Sequence, residues 1–282
     1  MNIPEIIKEF ASSISVTHLI CLAGLILFGG WLLKTSLGRN ALSDSVPRRN
    51  NMPAYLPFIL LFIWLGAVSL AILITVKALP DLPDWQSAFL ANSIFCTGAI
   101  AGIAVIIFLA RGRFARRLKG FGLNAKTIHK DFFAAVLNLL SVWPLVLLTI
   151  VLTTFFGQLI WGQDFHLQQH EELKTIIAHP HLPLRVLIIV TSIAVVPAFE
   201  EMLFRGLFQT MLRSFLGRPW LSIALSSGLF ATVHANAGHW PALFVLAVCL
   251  GYSYEKSGSL FRPIFIHSLF NAITITAALY SG

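Results

Sequence analysis

Residues 184–214 read LRVLIIVTSIAVVPAFEEMLFRGLFQTMLRS. The stretch is apolar and long enough to cross a hydrocarbon core of about 30 Å. It nevertheless carries Glu200 and Glu201 side by side, with Arg205 one turn further on. A carboxylate held at membrane depth is costly, so an acidic pair in such a helix marks a functional site by default. The question is what shares that site.

The rest of the chain has the same apolar character. Of its 282 residues, 57% are hydrophobic and 11% charged, and membrane-length apolar runs recur from end to end. This predicts an all-α fold, a polytopic bundle of transmembrane helices. Eight spans are expected, at about 16–34, 54–76, 87–110, 132–161, 184–213, 219–237, 240–254 and 260–280. An N-terminal membrane region, 1–131, then holds three spans and a basic loop, and a C-terminal region, 132–282, holds the other five. Ahead of the first span Ile3, Ile6, Ile7, Phe10 and Ile14 repeat at helical spacing, which predicts a short amphipathic helix on the membrane surface. Glu5 and Glu9 offset Lys8, unlike the basic start of a cleaved signal, so the first span is expected to be retained. Cys21, Cys96 and Cys249 each lie inside an apolar run and read as small buried hydrophobes.

The net charge of +8 does not indicate nucleic-acid binding, because the basic residues sit in short segments between spans. Lys34, Arg39, Arg48 and Arg49 follow the first span, and Arg111, Arg113, Arg116, Arg117, Lys119, Lys126 and Lys130 follow the third. Arg213, Arg218, Lys256 and Arg262 fall on the same side. The positive-inside rule puts that side in the cytoplasm and both termini outside. The expected location is a bacterial cytoplasmic membrane, with the bilayer itself as a partner. The basic loop after span three has a second reading, as a site for an anionic lipid or nucleotide.

Glu201 and Arg205 are four apart on one helix face and can form an ion pair that offsets the cost of either charge. Glu200 is rotated by about 100° and left without that partner. This assigns Glu201 and Arg205 to support and Glu200 to chemistry, as a general base. Two further spans supply polar groups: Phe230-Ala-Thr-Val-His234, and His267-Ser-Leu-Phe-Asn271 with its His and Asn on one face. Alone, each reads most simply as a packing histidine or an inter-helix hydrogen bond. Together they gather ionisable or strongly polar groups from three helices. At about 1.5 Å per residue, Glu200 and His267 fall in the cytoplasmic half of the membrane, whereas His234 comes out further outward.

In order and spacing, Glu200-Glu201-Met-Leu-Phe-Arg205-Gly206, Phe230-x-x-x-His234 and His267-x-x-x-Asn271 resemble the three motifs of the CPBP intramembrane proteases. That family includes the type II CAAX prenyl proteases and the bacterial Abi proteins. The resemblance covers about 184–280. It implies that Glu200 with His234 activates a water, while His267 with Asn271 stabilises the oxyanion at the scissile carbonyl. The substrate implied is a membrane-embedded or lipid-anchored protein or peptide. No cofactor is favoured, since Asn is a poor zinc ligand and there is no His-Glu-x-x-His helix. The alternative is zinc or another divalent metal on Glu200, His234 and His267.

Other functions compete with this one. Intramembrane carboxylates and histidines also build proton-coupled transporters, but here all the charged groups fall in the last four spans, with no matching second half. A catalytically silent scaffold or immunity protein could use the same fold. His166, His170, Glu171, Glu172, His179 and His181 crowd the loop between spans four and five. His166 and His170 have metal-ligand spacing, yet a polar, partly helical loop is the simpler reading. Gly98 and Gly102 read as sites of close helix packing.

Overall fold

The computed structural model describes residues 15–168, 171–234 and 236–281. The amphipathic helix expected over residues 3–14, and His170 of the histidine-rich loop, lie outside them. Among the described residues the fold is helical throughout, apart from a single isolated antiparallel bridge between Asn50 and Phe114. In chain order the main helices are α1 (Val16–Lys34), α2 (Leu56–Ala78), α3 (Asp84–Arg113), α4 (Arg117–Phe121), α5 (Ile128–Trp161) and α6 (Glu171–Ala178). The long helix α7 (Leu182–Leu216) follows, and then α8 (Pro219–Thr232), α9 (Trp240–Ser257) and α10 (Phe261–Ser281).

Six of these, α1, α2, α3, α5, α7 and α10, are long and apolar enough to cross a membrane, and the chain is an integral membrane protein. The sixth and seventh expected spans correspond to the shorter helices α8 and α9, of 14 and 18 residues. Local chemistry sets the ends. Pro219 and Pro241 occupy the first turns of α8 and α9, where a missing N–H costs nothing. Gly217 and Gly258 stop α7 and α9 with φ of +67° and +71°, a left-handed conformation that glycine adopts without a steric penalty.

The core forms around α7. Every residue from Glu201 to Met211 is buried, as expected for a helix packed on all sides. Phe199, Met202, Leu203, Phe204 and Phe208 join Phe230 of α8, Ala247 and Tyr254 of α9, and Ile106 and Ala110 of α3 in one cluster. Glycines bring the helices close. A Cβ at Gly102 would overlap the Phe199 ring, and one at Gly98 would meet Val68. A Cβ at Gly24 of α1 would strike the Leu140 carbonyl and Pro144 of α5, where the proline has removed the N–H that this carbonyl would otherwise accept. The large apolar side chains left exposed, such as Phe62, Phe108, Leu159 and Val190, lie on the spanning helices, where the solvent is lipid.

Helix α7 is continuous but not uniformly α. Thr191–Val195 and Met202–Gln209 are wound as π-helix, on either side of the Glu200–Glu201 pair. The wider turns leave carbonyls to be met by side chains. Thr210 Oγ1 donates to the Arg205 carbonyl at 3.3 Å, and Ser226 Oγ of α8 donates to that of Phe204 at 3.0 Å. Such segments recur at functional sites in helices.

Candidate active site

Arg205 and Glu201 form the ion pair their spacing predicts, with Nη1 to Oε1 at 2.8 Å and side-chain exposures of 1% and 0%. The second guanidinium nitrogen donates to the Ala247 carbonyl of α9 at 3.0 Å, and the group lies over the Phe230 ring at 4.6 Å. Arg205 is thus held by a carboxylate, a carbonyl and an aromatic face, which together make a buried cation tolerable.

Sequence reasoning missed the second partner of Glu201. His267 Nδ1 lies 2.9 Å from the same Oε1 oxygen, although 66 residues separate the two. An ionised carboxylate can only accept, so Nδ1 carries the proton and the ring is oriented by Glu201. Its other nitrogen, Nε2, faces Glu200 at 3.8 Å, within ion-pair range and beyond hydrogen-bonding distance. Glu200 keeps 20% of its side-chain surface exposed, against none for Glu201. The adjacent carboxylates therefore stand in different environments, one enclosed and doubly engaged, the other open on one side. No signal within the sequence could have linked His267 to Glu201, because helical spacing relates only residues on the same helix.

His234 lies just past the end of α8. Its Nδ1 is 2.7 Å from the Phe230 carbonyl, an acceptor, which fixes the proton on Nδ1 and leaves Nε2 with its lone pair. Among the described residues no hydrogen bond joins it to Glu200. It belongs to the same locale through Phe230, whose ring centroid is 4.8 Å from that of His234 and 5.8 Å from that of His267. Asn271 Nδ2 donates to the Ser192 carbonyl at 2.8 Å, tying α10 to the first π segment of α7. Its second amide N–H makes no bond among the described residues.

The same helices carry two further ion pairs. Arg213 meets Glu255 of α9 at 3.0 Å, and Arg262 at the start of α10 meets Asp131 of α5 at 3.1 Å. Both arginines read from sequence as topological charges alone. The lone acid near a span end opposite each of them was the available signal. Among the described residues no three His, Cys, Asp or Glu side chains are arranged to hold a metal ion. That statement includes Glu200, His234 and His267, which do not form such a set.

Fold and site together define an integral membrane protein with a polar, ionisable centre inside its helix bundle. Residues 182–273 match the family model described as Type II CAAX prenyl endopeptidase Rce1-like, in agreement with the CPBP resemblance of the motifs. The matched segment contains Glu200, Glu201, Arg205, His234, His267 and Asn271. The chain is also similar to an Escherichia coli protein named "Uncharacterized 24.3 kDa protein", at 26% identity over 117 residues, 40% of this chain and 54% of the relative. The alignment thus spans about half the length of that curated relative. No solved structure matches the chain.

Proposed function

We propose that this protein is an intramembrane endopeptidase that hydrolyses a peptide bond of a membrane-embedded or lipid-anchored protein or peptide, with Glu200 as general base. The observation that carries this reading is the inequality of the two carboxylates. Glu201 is enclosed and committed to Arg205 and His267, whereas Glu200 is partly open and faces the free nitrogen of His267.

In this reading Glu200 takes a proton from water as the oxygen attacks the scissile carbonyl carbon, assisted by the free Nε2 of His234. The developing oxyanion accepts hydrogen bonds from His267 Nε2–H and the unused N–H of Asn271. Such donors are worth about 3–4 kcal/mol each at comparable sites. For His267 this requires a ring protonated on both nitrogens, with Nδ1–H donating to Glu201. Collapse of the intermediate breaks the C–N bond, and Glu200 returns its proton to the leaving amine.

No step in this reading needs a metal. Exhaustive chelation of the pure protein is expected to leave activity intact. Activity lost to chelator and restored by zinc would overturn the metal-free mechanism. The functional test compares membrane-protein termini in cells carrying the wild-type chain, a deletion or Glu200→Ala. Hydrolysis predicts new termini that appear with the wild type only. A scaffold or transporter predicts the same termini in all three.

A further inference from the structure

On the basic face of the molecule, the segments 44–49 and 115–120 and the end of α9 enclose a cavity of about 830 Å³. Its walls present Arg48, Arg49, Arg116, Lys119 and Lys256. Against them stand two acids, Asp44 and Glu255. Glu255 is buried and already neutralised by Arg213 at 3.0 Å, so Asp44 is the remaining counter-charge. Among the described residues Arg49, Arg116, Lys119 and Lys256 form no ion pair, and all four are exposed. Gathering like charges in one concavity is unfavourable unless an anion is to be placed there.

The walls are fixed rather than draped. The Ala115 N–H donates to the Arg49 carbonyl at 3.1 Å and that of Asn51 to the Arg113 carbonyl at 3.0 Å, clamping the first two segments together. Arg48 joins them to α9, donating to the Tyr254 carbonyl at 3.2 Å with its guanidinium 3.7 Å over the Tyr254 ring. A second observation points to a ligand. The hydroxyl oxygen of Ser45, which lines the cavity, is buried without a hydrogen-bond partner. Native structures seldom leave such a group unpaired.

We infer that this cavity binds a phosphate-bearing anion, either the headgroup of an anionic phospholipid or a soluble phosphate compound. Phosphate offers several acceptor oxygens to guanidinium forks, ammonium groups and a hydroxyl at once. The volume falls within the range of small-ligand sites and exceeds what a single inorganic phosphate fills. The inference concerns a site apart from Glu200 and stands independently of the proposed hydrolysis.

The test uses the full chain. Inorganic pyrophosphate is titrated against it in phosphatidylcholine nanodiscs, and phosphatidylglycerol retention is counted by native mass spectrometry. Arg49→Gln, Arg116→Gln and Lys119→Gln are combined in one variant. A control combines Arg39→Gln, Arg111→Gln and Lys126→Gln, removing equal charge outside the cavity. At least one probe is expected to bind the wild type saturably, with the cavity variant weakened by about tenfold or more and the control changed by less than about twofold. Binding of pyrophosphate alone identifies a soluble ligand, and of phosphatidylglycerol alone a lipid headgroup. Absence of saturable binding by both probes, or equal loss in the two variants, would overturn the inference. Lys119→Glu alone, a single exposed substitution, should weaken binding in the same direction if the triple variant folds poorly.

Discussion

At the residue scale, Glu200 and Glu201 are chemically identical and one position apart, and only their surroundings separate them. Removing the charge of Glu201 leaves Arg205 buried without its carboxylate and His267 without its orienting partner. Breaking a buried pair in this way costs about 3–5 kcal/mol, so Glu201→Gln should lower expression and melting temperature as well as activity. Replacing the pair together, Glu201→Leu with Arg205→Met, should recover much of the thermal stability, since apolar groups of similar size are tolerated where an ion pair was. It should not recover activity, because His267 still lacks its carboxylate. Full activity in the double variant would show that Glu201 acts only as a counter-charge. The i,i+4 pair was legible in the sequence because both residues share one helix, but the bond to His267 was not.

At the element scale, Gly206 is where the basic loop meets the site helix. A Cβ there would run into the ring of Phe121, the fully buried last residue of α4, whose carbonyl also accepts from the Tyr254 hydroxyl at 3.0 Å. Gly206→Ala should therefore destabilise by about 1–3 kcal/mol through overpacking. Adding Phe121→Leu should restore part of that loss in a thermal melt, whereas additive losses would show that the two do not share this contact. The spanning helices were read from apolar length alone, and the expected starts of several agree with the structure within a few residues. Two features escaped that reading. The π segment Met202–Gln209 of α7 leaves no mark in hydrophobic periodicity, because the helix there is buried on every side. Helix α8 ends at Thr232 rather than near 237 because Asn236 opens a separate short turn, its side chain accepting from the Gly238 N–H at 3.0 Å. His234 accordingly sits in the connection, not within a span.

At the scale of the whole molecule, the charge asymmetry of the loops predicts orientation. The proposal places the basic face, with its cavity, in the cytoplasm and both termini outside. Single cysteines at positions 126 and 170, in a background without the three native ones, should then react with an impermeant reagent in intact cells only at 170. Labelling at 126 instead would invert the topology and the side from which a substrate reaches Glu200. The sequence revealed a membrane bundle and its motif residues because composition and spacing carry that information. It did not reveal the Arg213–Glu255 and Arg262–Asp131 ion pairs or the bond from Arg205 to the Ala247 carbonyl, whose partners are brought together only by tertiary packing.

The central claim is that Glu200 activates the water, and the most direct measurement is the cleavage rate of purified Glu200→Gln beside wild type in proteoliposomes, with thermal melts on the same preparations. The amide keeps the shape of the carboxylate but cannot accept the proton. The account predicts a fall of about 10²–10⁴-fold, the usual worth of a general base, with an unchanged melting temperature. Cleavage by Glu200→Gln at the wild-type rate would contradict it.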